Sequence, residues 1–444
     1  MWHERIHALR RLTLFRGLLR KPPLTHLLSL DQGVRVSTGD EVAETAAPWL
    51  HALVSDPLLW RSYELMRAGD PWEAWLLHGL LTDENPWTLR LERGEDPGPL
   101  LTSLAESDLR LLHEARPALR MLLAEAGRWP LPPVATAGEE LNLGDECGLP
   151  DGYGLPNARD RRQLVDTALD PHTVWPAITD QFARFFRRAG AGVFNLAYAF
   201  RFDGELEPVF SPDPTRLEEL TGYEKERRRV IDNTQRLMER LPAHNLLLYG
   251  DRGTGKSATV KALVHRFGDD GLRLVEVPKH RLASIPALIR KLGERGAPIV
   301  LFIDDLSFEA DETEYKELKA VLEGSLEPMP GNVRVYATSN RRHLITEKFG
   351  DRRSGAFGVA GDEVHSQDGM QEKLSLADRF GQTIVFPTPS QQAYLEIVFA
   401  LAKRHRISLT EEELTPLALR WATWQNGRSA RTAVQFIESL IGAE

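Results

Sequence analysis

The spacing of apolar residues changes near residue 211 and predicts a different architecture on each side. Beyond this point, short apolar runs alternate with segments that carry apolar residues at helical spacing. The predicted strands are 245–249, 272–277, 299–303, 332–340 and 383–386. Such alternation predicts a parallel sheet covered by helices. After residue 390 the pattern is purely helical, with helices predicted at 391–405, 411–424 and 429–441.

The N-terminal half is predicted to be mainly helical. Between about residues 40 and 130, Leu, Ala and Trp residues stand among Pro and Asp-Pro breaks, which predicts short helices joined by tight turns. We expect the tryptophans in a core rather than on a peptide- or base-binding surface. Residues 1–21 form a predicted basic amphipathic helix whose apolar side consists of Ile6, Leu9, Leu12, Leu14 and Leu18. This helix would contact a membrane surface or nucleic acid, or pack on its own domain with its arginines in water.

Changes in composition divide the chain into four predicted parts. A stretch at 130–160 is rich in Pro, Gly and Asp, which indicates a linker or functional loop. Two short strands at 193–202 and 206–210 are joined by Asp203-Gly204, a hairpin signal. The predicted parts are a mainly helical domain at 1–135, a linker with a helix and the hairpin at 136–210, an α/β core at 211–389 and a helical lid at 390–444.

Composition says more about the cellular compartment of the protein than about its function. The 444 residues carry a net charge of −9, which argues mildly against constitutive binding of nucleic acid. Cys147 is the single cysteine, so no intramolecular disulfide can form and a reducing compartment is expected. No apolar run approaches the ~20 residues that span a bilayer, and the first residues do not resemble a secretory signal. We therefore predict a cytoplasmic location and no transmembrane segment.

The strongest chemical signal is a glycine-rich loop between the first predicted strand of the α/β core and the helix that follows. The loop consists of Gly250, Asp251, Arg252, Gly253, Thr254, Gly255, Lys256 and Ser257, with Ala258 at the helix start. The glycines let successive backbone N–H groups turn toward phosphate oxygens, and the helix N-terminus adds partial positive charge. Lys256 is expected on the β- and γ-phosphates and the Ser257 hydroxyl on Mg²⁺. The sequence therefore predicts that these residues bind a nucleoside triphosphate.

The third and fourth predicted strands of the core end in polar residues suited to the same chemistry. Asp304 and Asp305 follow the third strand, and Asn340 ends the fourth. Asp304 is expected to hold Mg²⁺ opposite Ser257, while Asp305 lies where a general base or a water-orienting carboxylate is needed. Asn340 is the candidate for a hydrogen bond to the attacking water or the γ-phosphate. Ligands gather at the carboxyl ends of parallel strands, where all of these residues fall.

Arginines supply further candidates for contact with phosphates. Arg428 and Arg431 stand at the start of the last predicted helix, where an arginine beside a phosphate site can act as a charge clamp. A second, larger set could provide a basic surface for DNA, although no recognisable DNA-binding motif accompanies it. This set consists of Arg341, Arg342, Arg352 and Arg353.

Several of these segments resemble known protein families. The motifs GDRGTGKS, LFIDDL, YATSN, LADRFG and GRSAR, with a helical lid, are similar to those of the AAA+ superfamily of ATPases. Residues from about 210 onward resemble more closely the bacterial predicted ATPases of domain-of-unknown-function family 815. That match is carried by NLLLYGDRGTGKS, IDDLSFE, LKAVLEGSLE, YATSNRRHL and EKLSLADRFG. The resemblance implies a P-loop three-layer αβα module with a helical lid, the cofactors ATP and Mg²⁺, and a homo-oligomer.

The same resemblance implies roles for individual residues. By position in the motifs, Arg379 would be the arginine finger supplied in trans, and Arg431 the sensor-2 arginine, with Arg428 as the competing residue. The chain departs from most AAA+ proteins at Asp305, where they carry Glu. The shorter side chain of Asp305 weakens the case for efficient hydrolysis, and Glu309 is the alternative carboxylate.

Two functions follow as hypotheses. The first is an oligomeric ATPase that hydrolyses ATP to ADP and phosphate and thereby remodels or loads a macromolecular partner. The second is a nucleotide-controlled switch or scaffold with little turnover, which recruits a partner through its N-terminal half. A P-loop kinase for a small molecule is weaker, because no acceptor pocket can be recognised. The expected partner is an unidentified protein, while nucleic acid is possible but not indicated.

Overall fold

The structure is a computed structural model that describes residues 2–21, 24–25, 28, 51, 70–118, 121, 157–307, 318–319, 322, 328–340, 379–425 and 427–441. These residues belong to two units, Met1–Ala197 with Arg295–Ala297, and Tyr198–Glu294 with Pro298–Glu444. Several residues singled out from the sequence lie outside the described ranges. They are Cys147, Glu309, Arg341, Arg342, Arg352 and Arg353. The four-part division of the chain stays a prediction.

The first unit consists of helices, as predicted for the N-terminal region. Its α-helices are α1 (Trp2–Ala8), α2 (Pro71–Leu81), α3 (Pro86–Glu92), α4 (Gly98–Ala115), α5 (Ala158–Leu169) and α6 (Thr179–Ala189). Short 3-10 helices lie at Leu9–Arg11, Phe15–Arg20, Trp175–Ile178 and Gly192–Asn195. Asp70 and Asn85 start α2 and α3 by accepting hydrogen bonds from the first backbone N–H groups. None of the described helices in either unit has the length and hydropathy needed to cross a bilayer.

The prediction of one helix over residues 1–21 is wrong. The segment breaks after Leu9–Arg11 because the Asp108 carboxylate, on α4, accepts hydrogen bonds from the backbone N–H groups of Thr13, Leu14 and Phe15 at 2.7–3.0 Å. These N–H groups therefore have partners outside any helix of their own. Most apolar side chains of the segment are buried in the core of the unit, and Leu14 and Leu19 are partly buried against it, as the packing alternative required. Those with no exposed surface are Ile6, Leu9, Leu12, Phe15 and Leu18.

Tryptophans make up much of the core of the first unit. Trp72 and Trp75 stack with ring centroids 5.5 Å apart, and Trp87 meets Phe186 edge-on at 5.8 Å. The Trp72 indole N–H donates to the Ala115 carbonyl at 2.9 Å. The expectation of a core position is confirmed for Trp72, Trp75 and Trp87, which are at most 2% exposed.

The second unit is built on a seven-stranded sheet with the order β2-β1-β4-β5-β6-β3-β7. The strands are β1 (Ala199–Phe202), β2 (Leu206–Val209), β3 (Leu246–Gly250), β4 (Arg273–Glu276), β5 (Ile299–Ile303), β6 (Val333–Ser339) and β7 (Gln382–Phe386). Only the β1–β2 hairpin is antiparallel, and every other described pairing is parallel. The predicted hairpin therefore forms, but it extends the main sheet through β1 and β4, so the sheet begins upstream of residue 211.

Helices flank this sheet and form the lid. They are α7 (Glu224–Met238), α8 (Lys256–Lys261), α9 (Leu263–Phe267), α10 (Ile285–Gly293), α11 (Gln391–Arg404), α12 (Glu411–Trp424) and α13 (Ala430–Leu440), with 3-10 turns at Leu217–Glu219 and Lys279–Ser284. All five residues of β5 are buried, which explains its continuous apolar sequence. Helices α11–α13 share an apolar core of their own that includes Tyr394, Ala418 and Phe436. The predicted fold class, a P-loop αβα module with a parallel sheet and a C-terminal helical lid, is confirmed.

Candidate nucleotide-binding site

The glycine-rich loop at 250–257, here called the phosphate loop, connects the end of β3 to the start of α8. Its glycines occupy the left-handed region, with φ of +150° at Gly250, +79° at Gly253 and +86° at Gly255. Two of them also lie too close to neighbours for a side chain. A Cβ on Gly250 would lie 1.9 Å from the Phe386 carbonyl oxygen, and one on Gly253 would lie 2.8 Å from Ser429 Oγ. Glycine is therefore required both for the path of the loop and for its contact with β7 and the lid.

Lys256 lies under the loop and is 5% exposed. Its Nζ donates hydrogen bonds to the carbonyl oxygens of Gly250 at 2.8 Å and Asp251 at 2.7 Å, and to Asn340 Oδ1 at 3.1 Å. Burial lowers the pKa of the Lys256 ammonium below its ordinary value, although Asp251, Asp305 and Asp304 oppose this shift. The ammonium thus sits among oxygen acceptors at the position where phosphate oxygens are expected to bind.

The Asp304 carboxylate connects α8, β5 and β6. Its Oδ1 accepts hydrogen bonds from Ser257 Oγ and from Thr338 Oγ1, each at 2.6 Å, and from the Asp305 N–H at 3.1 Å. A serine hydroxyl and a carboxylate in contact are the hard oxygen donors that Mg²⁺ prefers. Among the described residues, no group of three or more His, Cys, Asp or Glu side chains forms a metal site of its own. Ser257 and Asp304 therefore fit a Mg²⁺ ion that is shared with phosphate oxygens.

Asn340 links Lys256 to the Asp305 carboxylate through hydrogen bonds. Its amide donates from Nδ2 to Asp305 Oδ1 at 2.6 Å, while its Oδ1 accepts from Lys256. Asp305 has a φ of +51°, a conformation that few residues other than glycine adopt. Parallel pairing of β3 with β6 and of β5 with β6 brings these side chains to one edge of the sheet.

A cavity of about 760 Å³ lies between this edge and the lid, within the size range of ligand pockets. Its polar floor includes Lys256, Ser257, Asp304, Asp305 and Asn340. The rest of the wall comes from the segment before α7 and from α11 and α13, where aliphatic side chains stand beside the polar and charged residues Glu219, Arg404 and His405. This part includes Thr215, Leu220, Leu401, Val434 and Ile437.

The structure brings most of the predicted site residues together and leaves four out of the cavity lining, the first of which is Gly250, at the end of β3. Arg252, Gly253, Thr254, Gly255, Ala258 and Arg431 also line the cavity, whereas Asp251, Arg428 and Arg379 are not among the lining residues. Asp251 instead accepts a hydrogen bond from Thr388 Oγ1, just after β7. Arg379 precedes the start of β7, at the opposite end of the strand from Phe386, which pairs with Gly250. Sequence reasoning missed Thr338, whose signal is a hydroxyl residue two positions before Asn340.

Comparison with known proteins finds a family model that matches mainly the second unit, and relatives that each match part of the chain. The family model described as a protein of unknown function, DUF815, matches residues 194–444. A proteasome-activating nucleotidase from Methanothermobacter thermautotrophicus is 25% identical over 268 residues, which are 54% of this chain and 60% of that protein. The 26S proteasome regulatory subunit 6B homolog of Dictyostelium discoideum is 31% identical over 120 residues, 23% of this chain and 30% of that protein. The chain thus spans between about a third and three fifths of the length of these relatives.

Solved structures show a weaker likeness. The Holliday junction branch migration motor RuvB of Thermotoga maritima aligns with 51% of this chain and 72% of its own, at 16% identity and a TM-score of 0.30. A score this low carries no argument about function. The assignment of the fold stands on the strand order, the phosphate loop and the lid described above.

Proposed function

The chain belongs to the DUF815 family of proteins of unknown function, and we propose that it hydrolyses ATP to ADP and phosphate to remodel or load a macromolecular partner. The observation that carries this proposal is the contact of Ser257 Oγ with Asp304 Oδ1 at 2.6 Å, beside the buried Lys256. These three side chains come from the phosphate loop and from β5, and they have the chemistry required to bind Mg²⁺ and triphosphate together.

Each residue at the polar floor has a proposed role in hydrolysis. Ser257 would hold Mg²⁺ directly and Asp304 would hold it through water, so that the ion offsets charge on the β- and γ-phosphates. Lys256 would exchange its carbonyl acceptors for phosphate oxygens. Asp305 would accept a proton from the attacking water or orient it, and Asn340 would hold that water or the γ-phosphate.

Four aliphatic side chains in the wall of the cavity support a purine base as the remaining part of the ligand. Leu220 faces the cavity from the segment before α7, and Leu401, Val434 and Ile437 face it from the lid. We assign the adenine to this region because its rings would be covered by aliphatic side chains there. Arg431 lines the same cavity from the start of α13, which supports it over Arg428 as the sensor-2 arginine.

The position of Arg379 supports a homo-oligomer. The residue is exposed and precedes β7, and the phosphate loop begins at the other end of the paired strand β3. The strand β7, which separates Arg379 from the level of the phosphate loop, is roughly 13 Å long. This distance is too long for the arginine to reach phosphates bound to its own subunit. We therefore propose that Arg379 completes the site of a neighbouring subunit as an arginine finger. The helical first unit would then recruit the partner, most simply a protein, in the cytoplasm.

A nucleotide-controlled switch with little turnover is the second candidate. The observation that favours it is the engagement of Asp305 by Asn340 at 2.6 Å, combined with the short Asp side chain at this position. Both features limit how far the carboxylate can extend toward an attacking water. In this function, ATP binding would set the position of the lid, and the partner would respond to that position.

Steady-state ATP turnover per subunit, measured over a wide range of protein concentration, tests the proposal. Lys256→Ala is the blank, and Lys291→Ala, an exposed lysine on α10 that does not line the cavity, is the matched control. A rate per subunit that rises and saturates would support hydrolysis at sites completed between subunits. A flat rate near zero with ATP still bound would favour the switch. Failure to bind ATP, or equal turnover in Lys256→Ala, would overturn both.

A further inference from the structure

Thr338 contacts both of the carboxylate residues that follow β5. It lies on β6 with 1% of its surface exposed. Its hydroxyl donates to Asp304 Oδ1 at 2.6 Å and accepts from the backbone N–H of Asp305 at 2.9 Å. A hydroxyl can act as donor and acceptor at once, and valine, which has the same shape, can do neither. The two carboxylate residues after β5 are therefore tied to β6 through one oxygen atom.

The first contact fixes the orientation of the Asp304 carboxylate. With Ser257 Oγ and the Asp305 N–H, the Thr338 hydroxyl is one of three donors to the same oxygen. Ser257 is itself a proposed Mg²⁺ ligand, so its hydrogen bond to Asp304 would change when the ion binds. Thr338 lies on a buried strand and would keep its contact with Asp304 in both situations. It thereby limits rotation of the carboxylate when the serine is engaged elsewhere.

The second contact holds Asp305 in an unusual backbone conformation. A φ of +51° is uncommon for a residue with a Cβ, and two contacts with Thr338 stabilise it here. Here the Asp305 N–H donates to the Thr338 hydroxyl, and the Leu306 N–H donates to the Thr338 carbonyl at 2.7 Å. Thr338 thus anchors the turn at two successive residues. The direction of the Asp305 side chain toward Asn340 depends on this turn.

We propose that Thr338 is a positioning residue that sets Asp304 for Mg²⁺ and Asp305 for the attacking water. This inference rests on the proposed nucleotide site and deepens it. The other role for a buried threonine is packing alone, and the two roles differ in what the hydroxyl does. A packing role requires the volume of the side chain, whereas a positioning role requires the oxygen.

The test compares Thr338→Val with Thr338→Ser, and uses Thr234→Val as a matched control. Thr234 is also fully buried in this unit, but its hydroxyl bonds to the Val230 carbonyl and to the Tyr336 hydroxyl, away from the cavity. Three quantities are measured. The first is turnover, and the second is the affinity for a fluorescent ATP analogue in EDTA, without free Mg²⁺. The third is the Mg²⁺ requirement, defined as the Mg²⁺ concentration at which the increase in this affinity is half complete. The last two need no hydrolysis.

For Thr338→Val we expect turnover to fall, and the required Mg²⁺ concentration to rise, by about 10–100-fold, as for other residues that orient metal ligands. Affinity in EDTA should stay within about twofold, because the phosphate loop is unchanged. Thr338→Ser should resemble the wild type, and Thr234→Val should leave the Mg²⁺ requirement unchanged. If the wild type binds nucleotide but does not hydrolyse it, the Mg²⁺ titration still tests the inference while the proposed ATPase fails.

Two results would overturn the inference. One is a normal Mg²⁺ requirement in folded Thr338→Val. The other is an equal loss in Thr338→Ser, because this variant keeps the hydroxyl and its loss would have to come from disturbed packing at this position. If Thr338→Val does not fold, Thr338→Ala replaces it, because Ala and Ser differ only in the oxygen. Equal Mg²⁺ requirements in those two variants would reject the positioning role.

Discussion

Substitution of Arg379 tests whether the site is completed by a second subunit. Arg379→Ala should retain ATP binding, because the residue does not line the cavity of its own chain. Turnover should nevertheless fall by about 10³-fold or more, the usual worth of an arginine that stabilises charge on the transferred phosphoryl group. Arg379→Lys should restore little, since a lysine cannot reproduce the planar guanidinium.

The geometry also predicts that two inactive variants restore each other. Asp304→Asn is inactive at its own site but keeps Arg379, whereas Arg379→Ala keeps Asp304. In a ring with head-to-tail interfaces, random mixing in equal amounts joins an intact Asp304 to a neighbour's intact Arg379 at about one quarter of the interfaces. Mixed samples should therefore recover about one quarter of the wild-type rate per subunit.

The assay is ATP turnover after equilibration of the mixed subunits at a concentration where the wild type is saturated. Subunit exchange is verified separately with donor- and acceptor-labelled chains. No recovery despite exchange would show that Arg379 does not act in trans. Full activity of Arg379→Ala alone would make it a structural arginine and remove the main support for the shared site.

Two further predictions concern carboxylates in the two units. Asp305→Asn should keep the affinity for ATP but lower turnover by about 10²–10⁴-fold, which is the usual contribution of a general base. Asp305→Glu should be at least as active as the wild type. Equal turnover in the wild type and both variants would exclude a role for this carboxylate. In the first unit, burial raises the pKa of the Asp83 carboxyl above its ordinary value of 3.8, against an opposing hydrogen bond from Asn85. The pKa of Asp83 is thus higher in the folded than in the unfolded protein. Its contribution to the free energy of unfolding is therefore fully present below pH 3.8 and is lost as the pH rises through the pKa of the folded state. Asp83→Asn should therefore raise the melting temperature at pH 7 more than at pH 4, and an equal effect at both would contradict the assignment.

The parallel sheet and the lid could be predicted because their signals are local. The run Ile299–Ile303 is apolar since every residue in β5 is buried, and the loop after β3 needs glycine at fixed positions. Position in the sheet is not a local property. The β1–β2 hairpin was predicted from its own sequence, but its pairing with β4 joins residues about 75 positions apart in the chain, such as Ala199 and Leu274.

The segment at 1–21 shows the same limit in the first unit. Its apolar spacing is typical of a buried helix, and the side chains it marks are buried except for Leu14, which is partly buried. The break arises from Asp108, which lies 93–95 residues away and accepts the N–H groups of Thr13, Leu14 and Phe15. Nothing within residues 1–21 carries that information, because one distant carboxylate replaces the hydrogen bonds that would have continued the helix.

The lid region contacts the phosphate loop at two points. The Arg431 N–H donates to the Gly253 carbonyl at 3.1 Å, and a Cβ on Gly253 would lie 3.0 Å from Arg431 Cβ. On the other side of the loop, Thr388, which precedes α11, donates to the Asp251 carboxylate. The loop is therefore hydrogen-bonded both to the segment just before the lid and to the last helix of the lid. If the proposed nucleotide binds at this loop, a shift of Gly253 would act directly on α13 through the hydrogen bond to Arg431.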